Sequence, residues 1–107
     1  MLFEKYLSVI DQKAEMICNI SDTIWENPET AFGEFAASKL LADTLEAEGF
    51  TVERGIVGIP TAFKATYGSG SPKFGILAEY DGLEGLSQEG CVAERKPDRK
   101  SVCRERV

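Results

Sequence analysis

Residues 76–83, "ILAEYDGL", decide how the rest of the chain is interpreted. Apolar residues run directly into two carboxylates, Glu79 and Asp81, which occupy alternate positions. Successive side chains of a strand point to opposite faces, so side chains two residues apart point the same way. One interpretation is a strand that reaches the surface, since turns favour Asp and Gly. The other is a strand that carries two acids to the rim of a metal site.

The sequence on the N-terminal side of these acids predicts a sheet. Residues 73–80, "KFGILAEY", are nearly continuous in apolar side chains, a pattern typical of a strand buried on both faces. Residues 61–67 alternate in polarity, and the loop "GSGSP" predicts a hairpin joining these two strands. Residues 50–54, "FTVER", predict a further strand. In open α/β sheets ligands bind beyond the carboxyl ends of strands, which is where Glu79 and Asp81 lie.

Two helices are predicted before the strands. Apolar side chains recur every three or four residues over 3–25, which indicates one apolar face, and Pro28 ends the pattern. A second helix is predicted over 34–48 and is closed by Gly49, which can adopt the left-handed conformation. Helices followed by strands indicate an α/β fold class.

Charge divides the chain near residue 90. The chain has 107 residues, which is enough for one small domain or for part of a larger one. Its net charge is −6. Residues 1–90 hold 6 basic and 15 acidic side chains, whereas residues 91–107 hold 6 basic and 3 acidic ones. We therefore interpret 1–90 as a partial domain and 91–107 as a basic irregular tail that is not native to it. The acidic body argues against a nucleic-acid partner, because phosphates would be repelled.

The chain has no run of about 18 apolar residues, so no membrane association is expected. Charged residues interrupt the N-terminal "MLFEKYLSVIDQKAEM", which does not resemble a signal peptide. The expected compartment is the cytoplasm.

Residues 20–90 resemble the start of the zinc aminoacylase and carboxypeptidase family of metallo-amidohydrolases. Within that family, the resemblance is to the branch of aminobenzoyl-glutamate utilization protein B. Three motifs occur in the family's order: Pro-Glu-x-x-x-x-Glu at Pro28, Glu29 and Glu34; a helix closed by Gly-Phe at Gly49 and Phe50; and acid-x-Asp-Ala-Leu-Pro-Gly at 79–85.

The match has two departures and one ambiguity. Gly82 stands where the family usually has Ala, and Glu84 stands where it usually has Pro. Glu29 and Glu34 could face an active site, but acids near a helix start also favour the positive end of the helix dipole, and we favour this second interpretation.

The resemblance implies the N-terminal part of a helix-flanked mixed-sheet metallohydrolase domain, with two helices and then about three strands, left incomplete. It implies hydrolysis of amide bonds in N-acyl amino acids or aminobenzoyl-glutamate-like conjugates, with zinc or manganese in the complete fold. Asp81 matches the family's acid that supports a metal-site ligand, and Glu79 occupies the position of a ligand histidine in many relatives. The family's other ligands are expected downstream.

The chain contains no histidine and none of the family's later ligand segments. We therefore expect a truncated portion that binds no metal by itself and is inactive alone. One alternative is a non-catalytic interaction module or a self-associating remnant of the fold, which would form a homo-oligomer. Another is a small hydrolase that uses Glu79 and Asp81 directly.

Overall fold

A computed structural model describes residues 1–98 and 100–101 of the chain. The elements, in chain order, are helix α1 (Leu2–Glu26), helix α2 (Phe35–Ala47), strand β1 (Thr51–Arg54), a short 3-10 helix (Ile56–Gly58) and strand β2 (Phe63–Thr66). The two predicted helices, the first two predicted strands and the α/β class are confirmed. The larger hydrolase fold stays a prediction.

Helix α1 ends where the proline requires it to. Pro28 disfavours a helical backbone at the residue before it. Asn27 accordingly has φ −126° and ψ 62°, outside the helical region. Its backbone N–H still donates to the Thr23 carbonyl oxygen at 3.2 Å, which closes the last turn of α1.

Helix α1 packs on α2 from about its midpoint onward. Met16 and Ile20 line a groove shared with Leu40 of α2, and Lys13 forms an ion pair with Glu48 at 2.5 Å. None of the helices in the described part of the chain is both long and apolar enough to cross a membrane. The predicted apolar face is therefore half covered, and its N-terminal members are exposed: Phe3, Tyr6, Leu7 and Ile10.

Helix α2 carries the small buried core and turns the chain into the sheet. Ala37 and Ala42 are buried, and α2 contacts both strands. Gly49 has φ +98°, the left-handed conformation predicted for it. The Phe50 backbone N–H then donates to the Leu45 carbonyl oxygen at 3.0 Å, which directs the chain from α2 into β1.

Strands β1 and β2 form an antiparallel pair, with Thr51 opposite Thr66 and Arg54 opposite Phe63. Along β2, Phe63 and Ala65 are half-buried whereas Lys64 and Thr66 are exposed. The alternation read from the sequence is thus confirmed, and Phe63 lines a groove together with Ala42 of α2.

The third predicted strand is wrong, as is the predicted hairpin between it and 61–67. Residues 73–79 form neither helix nor strand and are exposed along their whole length. A strand buried on both faces needs neighbouring strands and two covering layers. The described residues supply neither, because β2 pairs with β1 instead.

Residues 91–101 contact the body where they are described. Arg95 donates to the carbonyl oxygens of Gly85 and Leu86 at 3.1 Å. Lys100 forms an ion pair with Glu26 at 2.8 Å, and its Nζ lies 5.5 Å from the centroid of the Trp25 ring. Residues 99 and 102–107 lie outside the described residues, and a domain boundary near residue 90 stays a prediction.

Candidate functional site

The candidate site lies at the start of α2, where residues 28–34 meet residues 80–82. The Glu29 carboxylate accepts backbone N–H groups from Ala36 at 3.0 Å and from Ala37 at 2.7 Å. These N–H groups belong to the first turn of α2 and have no partner within the helix. Glu29 therefore caps α2, which confirms the structural interpretation of this acid.

Glu34 also binds backbone. It is buried, and its Oε1 accepts the Phe32 N–H at 2.8 Å. Phe32 has φ +64°, a conformation that a bulky side chain rarely adopts. The Glu34 carboxylate thus holds a strained turn immediately before α2. Its predicted structural role is confirmed, although the group that it binds is a turn N–H.

Gly82 brings the acidic motif against this turn. Its N–H donates to the Glu29 carbonyl oxygen at 2.6 Å, and Thr30 and Gly82 form a parallel bridge. A Cβ at position 82 would lie 3.0 Å from the Cβ of Pro28. In this structure the glycine that departs from the family's Ala permits the close approach, so the contact between Pro28 and the motif is tighter than an alanine would allow without a shift.

Asp81 and Glu79 are brought to different surroundings. Asp81 directly precedes the Gly82 contact, whereas Glu79 belongs to the exposed segment before it. Both residues are exposed, and neither carboxylate forms a hydrogen bond or ion pair with another residue of the described chain. Their assignment as site residues stays a prediction. Its premise of a buried strand ending at the two acids is wrong.

Tyr80 is the residue that sequence reasoning missed. Its hydroxyl donates to the carbonyl oxygen of Thr61, and its ring stacks on that of Phe63 with 6.0 Å between centroids. Burial, and then the negative charge of Glu34, raise the pKa of the Tyr80 hydroxyl above its ordinary value of 10.0. An aromatic residue between two acids was the available signal, and it was taken only as part of the strand.

We expect Tyr80→Phe to lower the free energy of unfolding by about 1 kcal/mol at neutral pH, because the Thr61 carbonyl loses its hydrogen bond. A raised pKa means that the folded state favours the neutral hydroxyl. The stabilisation is therefore complete below pH 10.0 and is lost as the pH rises through the higher pKa of the folded state. Urea unfolding of both chains at neutral and alkaline pH measures this.

The matched control is Tyr67→Phe, which keeps the ring contact with Phe50 and removes an exposed hydroxyl. Equal stability of the Tyr80→Phe and parent chains at neutral pH would contradict the role given to the Tyr80 hydroxyl. So would a difference between them that does not narrow under alkaline conditions.

The residues of this site do not fit a catalytic zinc centre. Such a centre normally takes three protein ligands from His, Cys, Asp or Glu. In the described ranges 1–98 and 100–101, no three residues of these types are grouped so that they could hold a metal ion.

This chain is similar in sequence to several known amidohydrolases and peptidases. It is 47% identical over 84 residues to the B subunit of p-aminobenzoyl-glutamate hydrolase from Escherichia coli, covering 78% of this chain and 18% of that protein. Thermostable carboxypeptidase 2 of Saccharolobus solfataricus is 43% identical over 61 residues, 57% of this chain and 15% of that protein. Human Xaa-Arg dipeptidase is 32% identical over 90 residues, 72% of this chain and 21% of that protein.

These matches cover only a small share of each relative's own length. The chain spans only about one fifth or less of the length of each of these relatives. No model of a protein family matches it. The similarity therefore covers most of this chain but a minor part of each known enzyme.

Proposed function

We propose that this chain, which belongs to the amidohydrolase and carboxypeptidase family of its relatives, is a portion of a metal-dependent amidohydrolase. The reaction of the complete protein is hydrolysis of an amide bond. The portion described here supplies scaffold and one site acid, and by itself it is inactive.

The observation that carries this proposal is the 47% identity to the p-aminobenzoyl-glutamate hydrolase of Escherichia coli over 78% of the chain. The relatives are named for three kinds of amide cleavage, of an aminobenzoyl-glutamate, of a peptide carboxyl end and of an Xaa-Arg dipeptide. Amide hydrolysis is what these names share. We therefore propose an N-acyl amino acid or a peptide-like conjugate as the substrate class, with aminobenzoyl-glutamate as the first compound to test.

In this proposal Asp81 is a positioning residue. It accepts a hydrogen bond from a metal-ligand side chain that another part of the complete fold contributes, and so fixes the orientation of that ligand. Two features support this role: the carboxylate is exposed and free among the described residues, and the adjacent Gly82 N–H anchors the backbone on Glu29. A free acid on an anchored backbone is available to a partner group.

The proposal that the chain is inactive alone has chemical support. Zinc or manganese would supply polarisation of the scissile carbonyl and activation of water in the complete fold. The sequence contains no histidine, and the described residues bring no three candidate ligands together. A pair of exposed carboxylates offers too few donors to hold such an ion firmly.

A chimera tests the proposed function. Residues 20–90 replace the aligned residues in the B subunit of the Escherichia coli hydrolase, and release of p-aminobenzoate from p-aminobenzoyl-glutamate is measured in the assembled enzyme. We expect the chimera to keep hydrolysis within about tenfold of the parent enzyme, a loss of no more than about 1.4 kcal/mol in transition-state stabilisation.

A folded chimera that takes up as much metal as the parent enzyme but does not release p-aminobenzoate would overturn the proposal. Metal content, measured for both zinc and manganese, and thermal unfolding of the chimera separate this outcome from simple misfolding. The matched control graft carries residues 20–72 alone, which leaves the acidic motif of the known enzyme in place.

A further inference from the structure

Residues 73–79, "KFGILAE", form an exposed apolar segment whose backbone has no partner in the described part of the chain. Phe74, Ile76 and Leu77 are 91%, 96% and 99% exposed. None of the backbone hydrogen bonds found among the described residues involves positions 73–79. Unpaired backbone groups beside apolar side chains form an edge to which another strand can add.

The segment is complementary to a second copy of itself. In an antiparallel pair with the two-fold axis at Ile76, Lys73 of each copy lies opposite Glu79 of the other. Opposite charges in directly facing positions stabilise a strand pair, and like charges destabilise it. Two ion pairs therefore close the two ends of this seven-residue pairing.

The same register also separates the two faces of the pair. Phe74, Ile76 and Ala78 fall on one face, which is wholly apolar, and Phe74 of each copy faces Ala78 of the other. The opposite face holds the charged ends, with Gly75 facing Leu77 between them. Gly75 has open space around its Cα, so the facing Leu77 can lie over it.

We propose that two copies of this chain associate through residues 73–79, paired as antiparallel strands about a two-fold axis at Ile76. The net charge of −6 on each copy opposes a close approach in general. The Lys73–Glu79 pairs give this segment the local complementarity that the rest of the acidic surface lacks, and the dimer does not depend on the proposed hydrolase function.

The contacts of Tyr80 select this register over its neighbour. A shift that places Lys73 opposite Asp81 would bring Phe74 opposite Tyr80 and draw Tyr80 into the strand pair. Tyr80 is already held by the Thr61 carbonyl oxygen and the Phe63 ring. A one-residue slip would move every side chain to the other face and mix polar with apolar positions.

Sedimentation velocity over a micromolar concentration series of the full chain tests the dimer. We expect the parent chain to dimerise. Either Lys73→Glu or Glu79→Lys alone should raise the dissociation constant of the dimer by about tenfold or more, because each substitution places like charges opposite each other at both ends of the strand pair. An equimolar mixture of the two variants restores association as a one-to-one heterodimer, since every facing pair is again opposite in charge.

The control for Lys73→Glu is Lys5→Glu, which makes the same change in net charge at an exposed position of α1 and leaves the parent's dissociation constant unchanged. Monomeric parent chain across the whole series overturns the proposal. Single variants that dimerise like the parent, or a mixture that fails to recover, exclude this segment and register. If Asp81→Lys weakens the dimer and Glu79→Lys does not, Lys73 pairs with Asp81 in the shifted register, and the proposed register is overturned.

Discussion

Replacing Asp81 by Asn in the chimera is expected to lower the rate of p-aminobenzoate release by about 10- to 100-fold. Asn has nearly the same shape as Asp but no charge, so it cannot hold a ligand side chain in one orientation or raise its basicity as a carboxylate does. The expected loss lies in turnover. In this chain alone, where the Asp81 carboxylate is exposed and makes no hydrogen bond within the described residues, the same substitution should change the free energy of unfolding by no more than about 0.5 kcal/mol.

The matched control for Asp81 is Glu84→Gln, three residues away in the same motif. Glu84 is an exposed acid at a position where the family has no acid, so its loss of charge should not change turnover. If Asp81→Asn and Glu84→Gln gave equal rates, Asp81 would be removed from the site, and the functional interpretation of the acidic motif would go with it.

The second large effect is structural: Glu29→Ala is expected to lower the free energy of unfolding by about 1–2 kcal/mol. The substitution leaves the Ala36 and Ala37 N–H groups without the carboxylate that now accepts them at 3.0 and 2.7 Å. Hydrogen bonds to a charged acceptor at a helix start are among the stronger ones. Urea unfolding followed by circular dichroism measures the loss together with the helix content.

Two variants control for Glu29→Ala. Glu29→Gln keeps one side-chain oxygen as an acceptor and should lose only part of the stability. Glu48→Ala removes an acid of the same length from a surface ion pair with Lys13, which typically contributes less than about 1 kcal/mol. A Glu29→Ala chain no less stable than the Glu48→Ala chain would contradict the capping role.

Local sequence signals predicted the elements whose partners lie nearby. Helix α2 was predictable because apolar spacing, Gly49 and the following alternation all indicate the same boundary, and Gly49 indeed has φ +98°. The strands after it were predictable because their polar and apolar residues alternate as one covered face requires. Each of these signals concerns neighbours within about 20 residues of chain.

Residues 73–80 show where such signals fail. A continuous apolar run is typical of a strand that is buried on both faces. Such burial also requires covering elements, and the run itself does not indicate whether they are present. In the structure, Ile76 and Leu77 are almost fully exposed because no described element covers them. The same gap makes the segment the best candidate for pairing with a second copy.

The candidate site was predictable in part. The spacing of Glu29 and Glu34 before a helix favoured a structural role, and both acids bind backbone N–H groups there. The anchoring of the motif was not predictable, since it depends on Gly82 donating to Glu29 across more than 50 residues of chain. Contacts of this kind form when two loops approach each other in the folded chain. Neither composition nor periodicity predicts such an approach.

The decisive experiment compares two rates of p-aminobenzoate release, each measured with zinc and with manganese, one for this chain alone and one for the chimera that carries residues 20–90. We predict release by the chimera and none above background by the chain alone. If hydrolytic activity copurifies with the isolated chain, the claim that this chain is only a part of the catalytic machinery is contradicted. A folded chimera that is loaded with metal and releases no p-aminobenzoate would contradict the claim that residues 20–90 form a functional part of the hydrolase.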